Sequence, residues 1–495
     1  MKFSASCLPG MEELLTAELK ELGADQISPG RQAVSFQGDT QMLLNALNQL
    51  RSALRVFHVI SRLPHDSEGR LYAGLKKISW KKYLKISQNF AIQALESGGK
   101  APASLRYITL KTKDIIVDSL RTPEGRRPSV DRNNPDISFT VLFQKNDALL
   151  LRDAAGTPLS QRGYRKDHTG APLNEALAWG ILRLSGFYPR KGPGILVDPM
   201  CGSGTFSIEA ARYLKDLGIP PHAVQGKAGE NRTGAARPDP ELTDPKQPDL
   251  KQPDPKPADP TSTDPESGRP KPGHKKASGA ILVKKKAAAG RDFMCYRWPD
   301  VGEQLISASR KRPSPSVSSS SAAENRGGGS SAQTQSGPNT SGGSSSPWRI
   351  IASDLDPRAI QIARRNASRA GVEEYIEFYQ SDFHSLHESL DLPGSREQAE
   401  KNAGSQNREP GEPSATAATR MMILNPPYDM RLQVDDARDF YSRLGDSMKR
   451  HWKGYKVHIF SANRDALKHV GLRPDTKLNL KNGQLNAGLY SYSLY

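Results

Sequence analysis

Between Asp198 and Thr205 the chain reads Asp-Pro-Met-Cys-Gly-Ser-Gly-Thr, directly after the apolar run Gly194 to Val197 and directly before Phe206-Ser207-Ile208-Glu209-Ala210-Ala211. The pattern is a buried strand, a glycine loop and a helix start, which is the opening unit of a nucleotide-binding sheet. Gly202 and Gly204 let backbone come close to a ligand, and the helix start offers free N–H groups to an anion. The loop has no Gly-Lys-Ser/Thr, so no lysine meets a β or γ phosphate, and it lacks the full G-x-G-x-x-G fingerprint. It suits a ligand that carries a carboxylate and an uncharged ribose.

Two further strand ends add to this chemistry. Asp354 follows the apolar Trp348 to Ala352, where an acid can accept both hydroxyls of a ribose. Asp382 and Phe383 follow Ile376 to Gln380 and could offer a carboxylate to an adenine amine and a ring to its face. Asp198 could orient the loop or face an ammonium group. Each aspartate alone is more often a helix cap; their shared place at the carboxyl ends of adjacent strands is what points to a crevice. Adenine, ribose, ammonium and carboxylate together describe S-adenosylmethionine (SAM). The candidate cofactor set is Pro172, Asp198, Pro199, Cys201, Gly202, Ser203, Gly204, Thr205, Asp354, Asp382 and Phe383.

A fourth strand, Met421 to Leu424, ends in Asn425-Pro426-Pro427-Tyr428. The Asn425 side-chain oxygen and the Pro426 carbonyl could accept the two hydrogens of an exocyclic amine, localising a lone pair that the ring otherwise delocalises. Tyr428 could stack on the base, a contact worth about 1–3 kcal/mol. Orientation in a dry site would supply most of the acceleration, without a strong base. A strand-ending proline turn is the structural alternative for Asn425, Pro426, Pro427 and Tyr428.

The elements that must position these residues can be read along the chain. Residues 1–60 suggest a small β-α-β-α unit, with apolar Met11, Leu14, Leu15 and Leu19 at helical spacing and Gly23 as a stop. Residues 61–155 suggest a second unit, with strands at Asn89 to Gln93 and Ile137 to Gln144, a helix near Ser104 to Leu120, and a hairpin into Leu149 to Leu151. Residues 156–495 alternate strands and helices and close on a hairpin near Asn482-Gly483, a doubly wound α/β sheet. Segments 222–290, 311–346 and 392–418 are rich in Pro, Ser, Gly and charge and are expected to be disordered inserts. Phe293, Tyr296, Trp298, Val301 and Leu305 between two of them suggest an ordered island that packs back on the core.

The formal net charge is +17, and residues 51–132 hold 17 Lys or Arg against 7 Asp or Glu. That field attracts polyanions. The candidate RNA-binding side chains are Arg106, Lys111, Lys113, Arg121, Arg126, Arg127 and Arg132, because the arginine fork pairs with phosphate; a solvated loop is the alternative for the 121–128 stretch. Cys7, Cys201 and Cys295 form no C-x-x-C pair, which disfavours a disulfide framework or a zinc site and fits a reducing cytoplasm. His168, His384 and His387 lack accompanying ligands at metal spacing, so no metal is expected. No secretory core or membrane-length apolar run is evident, and a soluble cytoplasmic monomer is expected.

Asp198 to Thr205, Asp354, Asp382 and Asn425 to Tyr428 resemble the motifs of the class I amino-methyltransferases, and the N-terminal half resembles a ferredoxin-like unit followed by a THUMP domain. Arg162-Gly163-Tyr164-Arg165, Ala171-Pro172-Leu173, Phe460-Ser461-Ala462 and Lys481-Asn482-Gly483 are similar to bacterial guanine-N2 methyltransferases of ribosomal RNA. The resemblance implies SAM as donor, 23S ribosomal RNA as substrate and a guanine N2 amine as target. Related readings are a tRNA guanine-N2 methyltransferase and a non-catalytic RNA-binding factor with a vestigial methyltransferase fold. The chain departs from the family in carrying Asp429 after Tyr428, where glycine is common, and it ends on its closing hairpin, from which a single modification is expected.

Overall fold

A computed structural model describes residues 1–167, 173–222, 292–310, 348–390, 418–426, 434–483 and 485–495. The N-terminal part runs β1 (Lys2–Cys7), α1 (Glu12–Glu21), β2 (Asp25–Gly30), β3 (Ala33–Gln37), α2 (Thr40–Gln49), β4 (Ala53–Leu63), α3 (Glu68–Lys76), β5 (Asn89–Glu96), α4 (Leu105–Leu120), β6 (Ser129–Val130), β7 (Ile137–Phe143) and β8 (Ala148–Asp153). Its strands form one eight-stranded sheet in the order β2-β3-β1-β4-β8-β7-β5-β6.

β4 continues through residue 60, where the composition suggested a boundary, and pairs antiparallel with β1 on one side and β8 on the other. Its alternation is hard to read because a register shift between Val59 and Ser61 breaks the period of two. The two N-terminal units therefore share a continuous hydrogen-bonded sheet. Helix α4 begins where the side chain of Ser104 accepts from the backbone N–H of Tyr107, and α2 where Asp39 accepts from the backbone N–H of Met42.

The second part runs α5 (Glu175–Leu184), β9 (Gly194–Asp198), α6 (Thr205–Asp216), α7 (Gly302–Arg310), β10 (Trp348–Asp354), α8 (Pro357–Ala370), β11 (Ile376–Gln380), α9 (Leu386–Ser389), β12 (Thr419–Leu424), α10 (Val434–His451), β13 (Lys456–Ser461), β14 (Thr476–Asn482) and β15 (Leu485–Ser493). The strand order is β11-β10-β9-β12-β13-β15-β14, parallel from β11 to β13 and antiparallel at the closing hairpin. β9 is buried along its whole length, as a central parallel strand covered on both faces must be. The island after residue 292 does pack on the core: Phe293, Tyr296, Trp298 and Leu305 are buried. Its anchor is Arg152 of β8, which grips both carboxylate oxygens of Asp300 at 2.9 Å and lies 3.7 Å from the Trp298 ring centre.

A buried charged cluster joins the N-terminal sheet to α6. Glu209, fully buried on α6, pairs with Arg162 at 3.0 Å and Arg51 at 3.8 Å and accepts from the Tyr164 hydroxyl at 3.0 Å. Arg162 donates in turn to the Arg51 carbonyl at 2.8 Å, and Glu18 of α1 accepts from the backbone N–H groups of Arg51 and Ser52 and from the Trp179 indole. Removing one member of such a cluster leaves buried charge without compensation. Glu209→Ala is therefore expected to lower the unfolding free energy by about 3–5 kcal/mol in urea titrations; a loss under about 1 kcal/mol would show that the cluster is solvated.

Candidate active site

The glycine loop sits at the carboxyl end of β9. Gly202 and Gly204 both have positive φ (52° and 80°), and Gly204 closes the turn by donating its N–H to the Cys201 carbonyl at 2.8 Å before α6 begins. A Cβ at Gly204 would lie 3.0 Å from the Cβ of Ala363 on α8, so glycine also permits close helix packing. The loop is held to the end of β10: the Cys201 N–H donates to the Ser353 carbonyl at 2.9 Å, the Gly202 N–H to Asp354 Oδ2 at 2.9 Å, and the Ser353 hydroxyl to the Pro199 carbonyl at 3.3 Å. Asp354 Oδ1 accepts from the Asp356 N–H at 3.0 Å, and Asp356 caps α8.

Asp198 is almost fully buried, accepts from the Ser207 hydroxyl at 2.9 Å through Oδ2, and leaves Oδ1 buried without a hydrogen-bond partner. Burial pushes its carboxyl up to about 7, opposed by the Ser207 bonds and reinforced by the nearby Asp354 charge. An orphaned carboxylate oxygen at this place fits an ammonium group. Ser203 and Thr205 are buried and their hydroxyls face each other at 3.3 Å; the Cys201 thiol is buried and its pKa is pushed well up by desolvation.

At the end of β11, Asp382 is exposed and its Oδ1 accepts from the His384 N–H at 2.9 Å. The expectation that Phe383 offers its ring to a base needs correcting. The ring is buried, near-parallel (13°) to that of Trp452 at 6.2 Å between centres, so its apolar surface is committed to the core. The exposed apolar group at this rim is Leu355, 67% accessible, beside Asp354. It was overlooked because a leucine between two aspartates reads as loop filler. Two other residues were missed. Ser207 gives no signal beyond its place in the first turn of α6. Asn366, fully buried on α8, donates to the Ser203 carbonyl at 3.2 Å and the Asp167 carbonyl at 3.1 Å, a role that only the tertiary fold reveals.

β12 lies beside β9 in parallel register, Met422 opposite Val197, so Asn425 follows the strand at the same rim as Pro199 and the glycine loop. Asn425 is half-buried and Pro426 buried. Pro172, Pro427 and Tyr428, like Asp429, lie outside the described residues. Of the candidate RNA-binding residues, Arg106 and Arg132 line one pocket on the N-terminal sheet; Lys113 pairs with Asp114 at 2.7 Å and Arg121 with Asp118 at 3.1 Å, while Lys111, Arg126 and Arg127 are exposed. Among the described residues no group of three or more His, Cys, Asp or Glu could hold a metal, and no helix is long and apolar enough to cross a membrane.

Three family patterns match in chain order: an RlmL ferredoxin-like domain over residues 2–57, a THUMP domain over 65–153, and an RMKL-like methyltransferase domain over 162–244 and 283–393. Together they take up more than half of the chain. The chain carries an RMKL-like methyltransferase domain behind an RlmL ferredoxin-like domain and a THUMP domain. It is 27% identical over 497 aligned positions to the ribosomal RNA large subunit methyltransferase K/L of Syntrophotalea carbinolica, covering 100% of this chain and 54% of that protein. The chain thus spans about half the length of the curated relative it matches. Solved structures share the fold: SMU.472, assigned as a methyltransferase and crystallised with SAH (TM-score 0.63, 23% identity, 100% of this chain and 98% of that one), and TrmN from Thermus thermophilus (0.56, 16%, 100% and 99%). The expectation of a doubly wound class I methyltransferase sheet behind an α+β module is met.

The buried Asp198 carboxyl has a consequence for stability. An unfolded aspartate ionises near its ordinary value of about 3.9, whereas the folded one holds its proton up to about 7. Its contribution is therefore complete below the unfolded value and is lost as pH rises toward 7. The difference in urea midpoint between wild type and Asp198→Asn should fall between about pH 4 and pH 7 and then level off; a pH-independent difference would contradict the buried carboxyl.

Proposed function

We propose that the chain transfers a methyl group from SAM to the exocyclic N2 amine of a guanine in 23S ribosomal RNA, in the cytoplasm. The observation that carries this reading is that Asn425 and the Asp198-to-Thr205 loop end adjacent parallel strands at one rim. Asp354 would accept the ribose hydroxyls with lone pairs left after its two backbone bonds, the 202–205 turn would meet the carboxylate with backbone N–H groups, and Asp198 Oδ1 would take the ammonium. Leu355 would cover the adenine face, with Asp382 at its amine. SAM supplies an electrophilic methyl group when bound.

The remaining chemistry belongs to the chain. Asn425 Oδ1 and the Pro426 carbonyl accept the amine hydrogens, which pulls the nitrogen toward tetrahedral geometry with its lone pair aimed at the methyl group. Tyr428 stacks on the base. The amine becomes acidic as it is methylated, so its proton leaves to water without a strong base. Support for ribosomal RNA comes from the Syntrophotalea carbinolica relative and from the basic N-terminal sheet.

Tritiated SAM incubated with 23S and tRNA transcripts tests the reading. Label in N2-methylguanosine of the 23S digest is expected; label confined to tRNA, or to another position, would overturn the stated target. Asn425→Ala should reduce kcat on the order of a hundredfold or more with SAM affinity nearly unchanged; an equal loss in SAM affinity would assign Asn425 to the cofactor instead.

A further inference from the structure

On the N-terminal sheet a pocket of about 710 Å³ opens over β4, β5 and β7, walled by the first turns of α4 and by the loop that follows β6. That volume lies within the range of small-ligand sites, about 300–1,000 Å³. Arg106, on α4, and Arg132, in the loop after β6, both line it, both exposed and neither in an ion pair among the described residues. The one carboxylate in the lining, Asp153, is already used: Arg55 pairs with it, and the Ala155 and Gly156 N–H groups donate to its Oδ1 at 2.9 and 3.2 Å. The pocket is thus left with two guanidinium groups free to meet an anion. Its other lining includes the partly buried Phe57, the buried Met294 and the exposed Asn133.

Paired guanidinium groups over an apolar, partly aromatic floor match one ligand chemistry, a flat ring attached to a phosphate. We infer that this pocket takes a single unpaired nucleotide, its base on Phe57 and Met294 and its phosphate between Arg106 and Arg132. A duplex keeps its bases stacked inside and could not fill it. The exposed Arg126 and Arg127, which the composition of their loop singled out, would then contribute only to the general field. Arg55 also lines a second depression of about 510 Å³ that reaches Arg165, Asn174 and Glu175 at the start of α5, a surface along which a strand could run from the pocket. The inference rests on the RNA reading only for the source of the nucleotide, since a free nucleotide has the same chemistry.

The test is fluorescence anisotropy on the full chain with a labelled single-stranded RNA decamer, its blunt duplex and, as competitor, guanosine monophosphate. The single strand should bind on the order of tenfold more tightly than the duplex. The double variant Arg106→Ala/Arg132→Ala and the separate variant Phe57→Leu should each weaken it on the order of tenfold, while Arg126→Ala/Arg127→Ala stays within about twofold and SAM binding is unchanged in all three. RNA binding that drops with Arg126 and Arg127 but not with the pocket variants overturns the pocket and leaves the RNA reading intact. Guanosine monophosphate binding lost in the pocket variants, with no binding of either RNA, supports the pocket and overturns the RNA reading. Equal affinity for strand and duplex overturns the pocket.

Discussion

The hydrogen bond from the Gly202 N–H to Asp354 Oδ2, 2.9 Å long and spanning 152 residues of sequence, is the constraint on which the site depends. It fixes the glycine loop at the end of β9 against the end of β10, and so sets where the first turn of α6 points. A charge-assisted bond to backbone is roughly twice as strong as a neutral one, and here it is backed by the Cys201–Ser353 bond and by Asn366 holding Ser203 from α8. Only glycine takes the 80° φ of residue 204 without strain, and only glycine lets α8 pack so closely there. Loop, acid and helix form one clamp.

The same helix, α6, carries Glu209 two residues beyond the Ser207 that orients Asp198. Through Arg51 this carboxylate is tied to the N-terminal part, and the Trp179 indole donating to Glu18 adds a second tie, so the part of the chain with the basic surface and the part with the glycine loop meet at a buried charged cluster. Such a junction gives a fixed relation between two surfaces in a way that a flexible linker does not. It also explains the Arg162-Gly163-Tyr164-Arg165 run, whose side chains serve this junction: Arg162 and Tyr164 reach Glu209, while Arg165 pairs with Glu175 at 2.8 Å.

Much of the nucleotide-binding half could be read directly from residues. β9, β11 and β13 fall on short apolar runs bounded by turn residues, and α8 announces itself by Asp356-Pro357 at its start and Gly371 at its end. The N-terminal sheet was harder. β2 is largely exposed and so lacks an apolar pattern, and the bulge in β4 scrambles its alternation. α10 was also missed, although Ala437, Tyr441, Leu444 and Met448 recur at helical spacing, because charged residues fill the positions between them. At the site, the positions of Asp354 and Asn425 at strand ends were predictable from local pattern. The fate of the Phe383 ring was not, because its partner Trp452 is 69 residues away, and the roles of Asn366 and Ser207 depend on neighbours brought together only by the fold.

A crystal structure of the full chain with S-adenosylhomocysteine tests the central claim most directly, that one rim of the sheet holds both the methyl donor and the amine-binding asparagine. The account predicts density with the ribose hydroxyls on Asp354, the amino group on Asp198 Oδ1 and the sulfur facing Asn425. Density with the sulfur turned away from Asn425, or a ligand bound clear of Asp354 and Gly202, would contradict it.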